Sequence, residues 1–307
     1  MVGPLLGIAK ITSGREAMIS VAGGRVYVRV NGDIRGAKPP IVFIHGGPGS
    51  SHWYFLNATA LAGDRAVILC DQLDSGRSDH SGDPANFQVP RFVSELENIR
   101  AALGVDRWHV LGASWEGTVG FEYAVRYPRV LASLILPSPL ISTAVWLRDA
   151  RTLNDSIPPG ERRVLDACDT PGALPKAACD TATDAFYARY VQRAEPPPAI
   201  AAYKASLPRS FSTHIHEHTW GRAEFTASGT LKDYDGAPLL KCLDGRRTLF
   251  VAGEYAEAIP STVAGFAHTV PVATLRQIPH AAHTAMNDNP AAYVSILRQW
   301  LAAHDRV

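Results

Sequence analysis

No stretch of this chain approaches the roughly 20 consecutive apolar residues that cross a bilayer. Neither sign of charge dominates: thirty Lys and Arg face twenty-nine Asp and Glu, a formal charge of +1 over 307 residues. No basic block exceeds a short pair such as Arg162-Arg163, so a nucleic-acid partner has no electrostatic footprint. The four cysteines are too few for a disulfide scaffold. Cys70 ends an apolar run and reads as a small buried hydrophobe. Cys168 and Cys179 share one loop-rich stretch and are placed to pair in an oxidising compartment, whereas the rest of the chain reads as cytoplasmic. A short apolar stretch at residues 4–9 has no basic region ahead of it, so it does not read as a signal peptide. What is left is a globular protein long enough for one large α/β domain with an inserted subdomain.

Short apolar runs mark the strands. Residues 25–30 alternate as Arg-Val-Tyr-Val-Arg-Val, entered through the Gly23-Gly24 turn, which suits a half-buried strand. Runs at 41–44 and 66–70 are continuously apolar, as suits strands covered on both faces, and 108–111, 131–136 and 248–252 read as further short strands. Helical periodicity occupies 92–103 before Gly104, 118–127 before Pro128, and 291–303. Strands alternating with helices predict a mostly parallel, doubly wound sheet. The rhythm is lost between Leu136 and Thr248, where Pro158-Pro159 and prolines 196–198 punctuate amphipathic pieces. That stretch predicts a mainly helical cap at 141–234 over a core of 1–140 and 235–307, set at the sheet edge where such folds bind ligands.

The run at 108–111 leads through Gly112-Ala-Ser114 into a helix. A sharp strand-to-helix turn holds a serine hydroxyl exposed at a helix N-terminus and demands small neighbours. Gly112 fits that demand; the position two residues after Ser114 holds Glu116, and glycine arrives at Gly117. The run at 41–44 ends in His45-Gly-Gly-Pro-Gly49, a loop whose backbone can approach a substrate carbonyl. The expected oxyanion donors are the N–H of Gly47 and that of Trp115, the residue after the serine. Gly46 is assigned to substrate contact.

These motifs, with Asp71-Gln-Leu-Asp-Ser-Gly-Arg-Ser-Asp79, resemble the N-terminal signatures of the proline iminopeptidase family. Trp220-Gly-Arg-Ala-Glu-Phe225, Gly229-Thr-Leu-Lys-Asp-Tyr-Asp235 and Gly253-Glu-Tyr-Ala-Glu-Ala-Ile-Pro260 resemble its later ones. The resemblance runs from about residue 41 to the end and is weakest at 142–212. It implies an α/β-hydrolase fold and a triad in the order Ser, acid, His. Of His280 and His283, the family pattern selects His283 as the base and leaves His280 as a loop residue. The family's aspartate position holds Ala256. Three readings are open at this point: Ala256 and Glu116 are introduced changes, another carboxylate (Glu116, Glu254 or Glu257) takes over, or the protein has left hydrolysis. Asp74 replaces a usual glycine and gets no functional role, because aspartate tolerates left-handed dihedrals better than most residues.

The resemblance also implies that Glu224 and Glu257 grip a substrate's free α-amine, since a buried ammonium needs opposite charge nearby. Glu257 is accordingly assigned to binding. The expected partner is a small peptide or amino-acid amide, with no nucleic acid, membrane, cofactor or metal. An amino-acid amidase, an esterase or lactonase, and a non-catalytic ligand binder are the rivals. His214-Ile-His-Glu-His218 puts alternate histidines on one face of an extended strand, a metal-ligating arrangement; without a matching cluster elsewhere it reads as a polar stretch at the cap surface. Trp146, Tyr187 and Tyr190 are cap core or pocket wall.

Overall fold

The computed structural model describes residues 14–168, 170, 172–223 and 225–305; the stretch at 4–9 and Glu224 lie outside these. Eight strands form one sheet: β1 (Arg15–Val21), β2 (Gly24–Asn31), β3 (Ile41–Ile44), β4 (Val67–Cys70), β5 (Trp108–Gly112), β6 (Leu131–Pro137), β7 (Thr248–Gly253) and β8 (Thr274–Ile278). Their order is β1-β2-β4-β3-β5-β6-β7-β8. The β1–β2 and β2–β4 pairs are antiparallel and every later pair is parallel.

The central strands explain their own composition. In β3, Ile41 and Phe43 enter the core on one face, while Val42 and Ile44 enter the core on the other. Residues of both parities are buried, so no polar position interrupts the run. The edges behave differently. β1 is exposed at most positions, and β8 carries exposed Arg276 and Gln277.

Helices α1 (Val89–Ala102) and α2 (Trp115–Arg126) precede β6. The chain then runs through α3 (Thr143–Ser156), α4 (Pro159–Cys168), α5 (Lys176–Tyr190), α6 (Pro198–Ser206) and α7 (Thr213–Thr219) before returning to β7. The two ends of this insertion meet: Ser142 bridges Asp235, the Thr143 N–H donates to the Tyr234 carbonyl at 2.9 Å, and the Gly236 N–H donates to that of Ile141 at 2.8 Å. Cys168 and Cys179 form a disulfide joining α4 to α5. Helix α8 (Pro260–Thr269) follows β7, and α9 (Ala285–Asp288) and α10 (Pro290–Ala303) close the fold. Asn289 caps α10 by accepting the Ala292 N–H, with Pro290 at its first position. Among the described residues, no helix is long and apolar enough to cross a membrane.

Candidate active site

Ser114 stands between β5 and α2 with φ 60° and ψ −127°, a strained conformation for any residue but glycine. The turn is held from below. The Ser114 N–H donates to the Pro137 carbonyl at 3.0 Å, and the Ser114 carbonyl accepts the N–H groups of Leu140 and Gly117. A Cβ on Gly112 would overlap the Glu116 carbonyl, so the glycine requirement read from the sequence has a specific cause. Trp115 is the first helical residue, and its N–H has no acceptor within the helix.

Glu116 is wholly buried, with Oε1 3.7 Å from Nδ1 of the equally buried His45. Burial lowers His45 to about 4, which keeps its ring neutral. His45 Nε2 accepts the Gln72 N–H at 3.3 Å, so the ring proton is on Nδ1 and faces Glu116. The substituted glutamate is therefore turned beneath the glycine loop, and the strained serine geometry persists above it. Gly47, at φ 55°, and Gly46 line the same cavity as Ser114.

That cavity, of about 380 Å³, also takes in His283 and Glu257. His283 is 8% exposed and burial lowers it to about 4. Its Nδ1 has no hydrogen-bond partner among the described residues, and the nearest carboxylate oxygen is Glu257 Oε1 at 3.6 Å. The Trp146 ring meets its ring edge-on at 5.6 Å. No hydrogen bond joins Ser114 to His283 among the described residues; such contacts are often long in unliganded enzymes. Ala256 is buried and brings a methyl group where the resemblance expects a carboxylate. Of the other two candidate carboxylates, Glu116 faces His45. Glu254 accepts the His280 N–H at 2.7 Å, outside the cavity, where His280 itself is exposed.

The loop of His283 is tied to the insertion. The carbonyl of Tyr190, at the end of α5, accepts the N–H groups of both His283 and Glu257, at 3.1 and 3.0 Å. Asp288 accepts the N–H groups of Arg193 and Ala194 with one oxygen and that of Ala282 with the other.

The histidine run needs correction. It is helix α7, neither an extended strand nor a wholly exposed stretch. His214 and His218, one turn apart, both lie edge-on to Phe87 at 5.5 Å. His216 points the other way into the cavity, where burial lowers it to about 4. A helical rather than a two-residue period would have separated it from its neighbours. The sequence reading also missed Trp53, Tyr54 and Lys204 as cavity walls; Lys204 Nζ sits 4.2 Å over the Trp53 ring. The available signal was the aromatic run directly after the glycine loop. Tyr187 lines the cavity, while Tyr190 packs on Phe186. Asp74 adopts φ 68°, which aspartate tolerates better than most residues, and its carboxylate accepts the N–H of Gly82.

A family model described as alpha/beta hydrolase fold matches residues 39–290. The proline iminopeptidase of Heyndrickxia coagulans is 33% identical over 286 residues, covering 93% of this chain and 98% of its own. That of Levilactobacillus brevis is 34% identical over 288 residues, covering 92% and 95%. The solved proline iminopeptidase of Mycobacterium smegmatis superposes with a TM-score of 0.86 at 30% identity, over 95% of this chain and 99% of that one. VinJ gives 0.85 at 28% identity, over 94% and 99%. Agreement along nearly the whole length, in sequence and in backbone, makes this chain a member of the proline iminopeptidase family of α/β-hydrolases.

Proposed function

We propose that this chain is a serine hydrolase that releases an N-terminal proline or small apolar residue from short peptides or amino-acid amides. The observation that carries the reading is a single cavity shared by the strained Ser114, the glycine loop at 46–47 and the buried neutral His283. In this mechanism Ser114 Oγ attacks the scissile carbonyl while His283 accepts its proton. The developing oxyanion is held by the Gly47 and Trp115 N–H groups. His283 returns the proton to the leaving amine, and water then frees the acyl group by the same route. Glu224 and Glu257 form the anionic end that receives the substrate ammonium. Residues 141–234 act as the cap, closing the cavity and excluding water.

Steady-state hydrolysis of proline arylamide, prolinamide and a p-nitrophenyl ester tests the reading. The arylamide or the amide is expected to show the highest kcat/KM, and Glu224→Ala should weaken only the substrates with a free amine. Equal losses on the ester would turn the assignment toward an esterase or lactonase. The buried methyl of Ala256 favours a second reading, a ligand-binding protein on a hydrolase scaffold. That reading requires no fluorophosphonate labelling of Ser114 and no turnover even after Ala256→Asp. On composition the proposed residence is the cytoplasm, whereas the Cys168–Cys179 disulfide fits an oxidising compartment. Trapping thiols at lysis decides between that compartment and an oxidising one.

A further inference from the structure

We infer that Glu257 is the residue that orients His283, standing in for the carboxylate missing at Ala256. The inference rests on the hydrolase reading above and gives Glu257 a second task beside amine binding. A histidine serving a serine must carry its proton on Nδ1 and hold that N–H on an acceptor, so that Nε2 faces the hydroxyl. Nδ1 of His283 is buried, and among the described residues Glu257 is the only Asp or Glu within 4 Å of it. The other acidic groups near this loop are committed elsewhere: Glu254 to His280, and Asp288 to three backbone amides.

The backbone explains the approach. Because the Tyr190 carbonyl takes the N–H groups of both residues, positions 257 and 283 are clamped side by side. From position 257 a glutamate reaches the ring, whereas the methyl group of Ala256 offers no acceptor. The 3.6 Å separation from the neutral ring is too long for a hydrogen bond. Closing it by roughly 0.7 Å makes the bond, the kind of tightening expected when substrate binds. A carboxylate has about four acceptor sites on two oxygens, so Glu257 serves the imidazole with Oε1 and the substrate ammonium with Oε2. Glu257 acts through His283, which takes the serine proton, and is a positioning residue.

The test compares wild type, Glu257→Gln, Ala256→Asp and the double variant on two substrates, a proline arylamide and a p-nitrophenyl ester without an amine. Positioning predicts that Glu257→Gln lowers kcat on both by about 100-fold, a part of the roughly 10⁴-fold loss seen when a triad acid is neutralised. It also predicts that adding Ala256→Asp restores kcat on the ester. With proline bound as a product ligand, the wild-type protein should show a downfield Nδ1–H resonance from His283 that Glu257→Gln abolishes. An unchanged ester kcat in Glu257→Gln, with only KM raised for the arylamide, overturns the proposal. So does a double variant that folds but is not rescued. If wild type hydrolyses neither substrate, the hydrolase reading fails, and the His283 resonance alone decides whether Glu257 holds the ring.

Discussion

The two halves of the site are held by different parts of the molecule. Ser114 and the glycine loop rise from β5 and β3 at the centre of the sheet; the hydrogen bonds of Ser114 run to β6 and its following turn, and the loop's Gly49 carbonyl accepts the Ser212 N–H. His283 and Glu257 stand on loops near the sheet's edge and hang from a carbonyl of the insertion, that of Tyr190. Departures from the family pattern are absorbed differently in the two places. At the centre, Glu116 is buried against a neutral histidine and the strained serine survives. At the edge, with alanine at 256, an imidazole nitrogen has no hydrogen-bond partner among the described residues. A rigid frame tolerates an odd side chain by tucking it away, whereas a loop that supplies chemistry has to find another supplier.

The sharpest way to break this contrast is Ser114→Ala, which should abolish hydrolysis, a loss of about 10⁴-fold or more. Its thermal midpoint should hold or rise, since alanine removes nothing from the core; a fall would show that the serine supports the fold.

Acid acts on both halves together. Burial holds His45, His216 and His283 at about 4 and His109 at about 3. The unfolded chain takes up these protons near 6.5 while the folded one refuses them, so stability falls as pH drops from about 6.5 towards 4. The slope is up to about 1.4 kcal/mol per pH unit for each ring. Glu95, raised to about 8 by burial, works the other way between about 4.5 and 8, one group against four. A urea midpoint that stays flat between pH 7 and 4.5 would contradict this. Turnover lost well before the midpoint moves would show the edge half yielding first.

Gly112→Ala drives a methyl group into the Glu116 carbonyl and should cost about 2–3 kcal/mol, read by denaturant unfolding; a neutral result would mean that the turn relaxes freely. The smallest effect is expected from Asp288→Ala, about 1–2 kcal/mol, because it frees amides on both the insertion and the His283 loop. Hydrogen exchange should quicken at Ala282 and leave Ser114 unchanged. Equal quickening at both would erase the distinction between centre and edge.

What could be read from the residues follows the same division. Strands buried on both faces announce themselves, and β3 through β7 fall where their apolar runs lie. The edge strands β1 and β8 carry charged or polar residues at solvated positions and show no such run, and α8 buries only Val263 and Ala267, too narrow a stripe to mark a helical period. The elbow and loop were legible because backbone strain and close approach restrict them to a few residue types. The place of His216 was not, since a side chain's direction depends on whether its segment is helix or strand. Nor was the approach of Glu257 to His283, which is set by a hydrogen-bond acceptor more than sixty residues upstream.

The meeting of Ser142 with Asp235 has a consequence for descent. A segment whose two ends lie side by side can be lengthened, shortened or exchanged without re-threading the sheet. Substrate range can then drift through that segment while the central chemistry is inherited intact. One condition limits the exchange. Any replacement must return a backbone carbonyl to the place that Tyr190 fills, or the loops carrying Glu257 and His283 lose their shared tie.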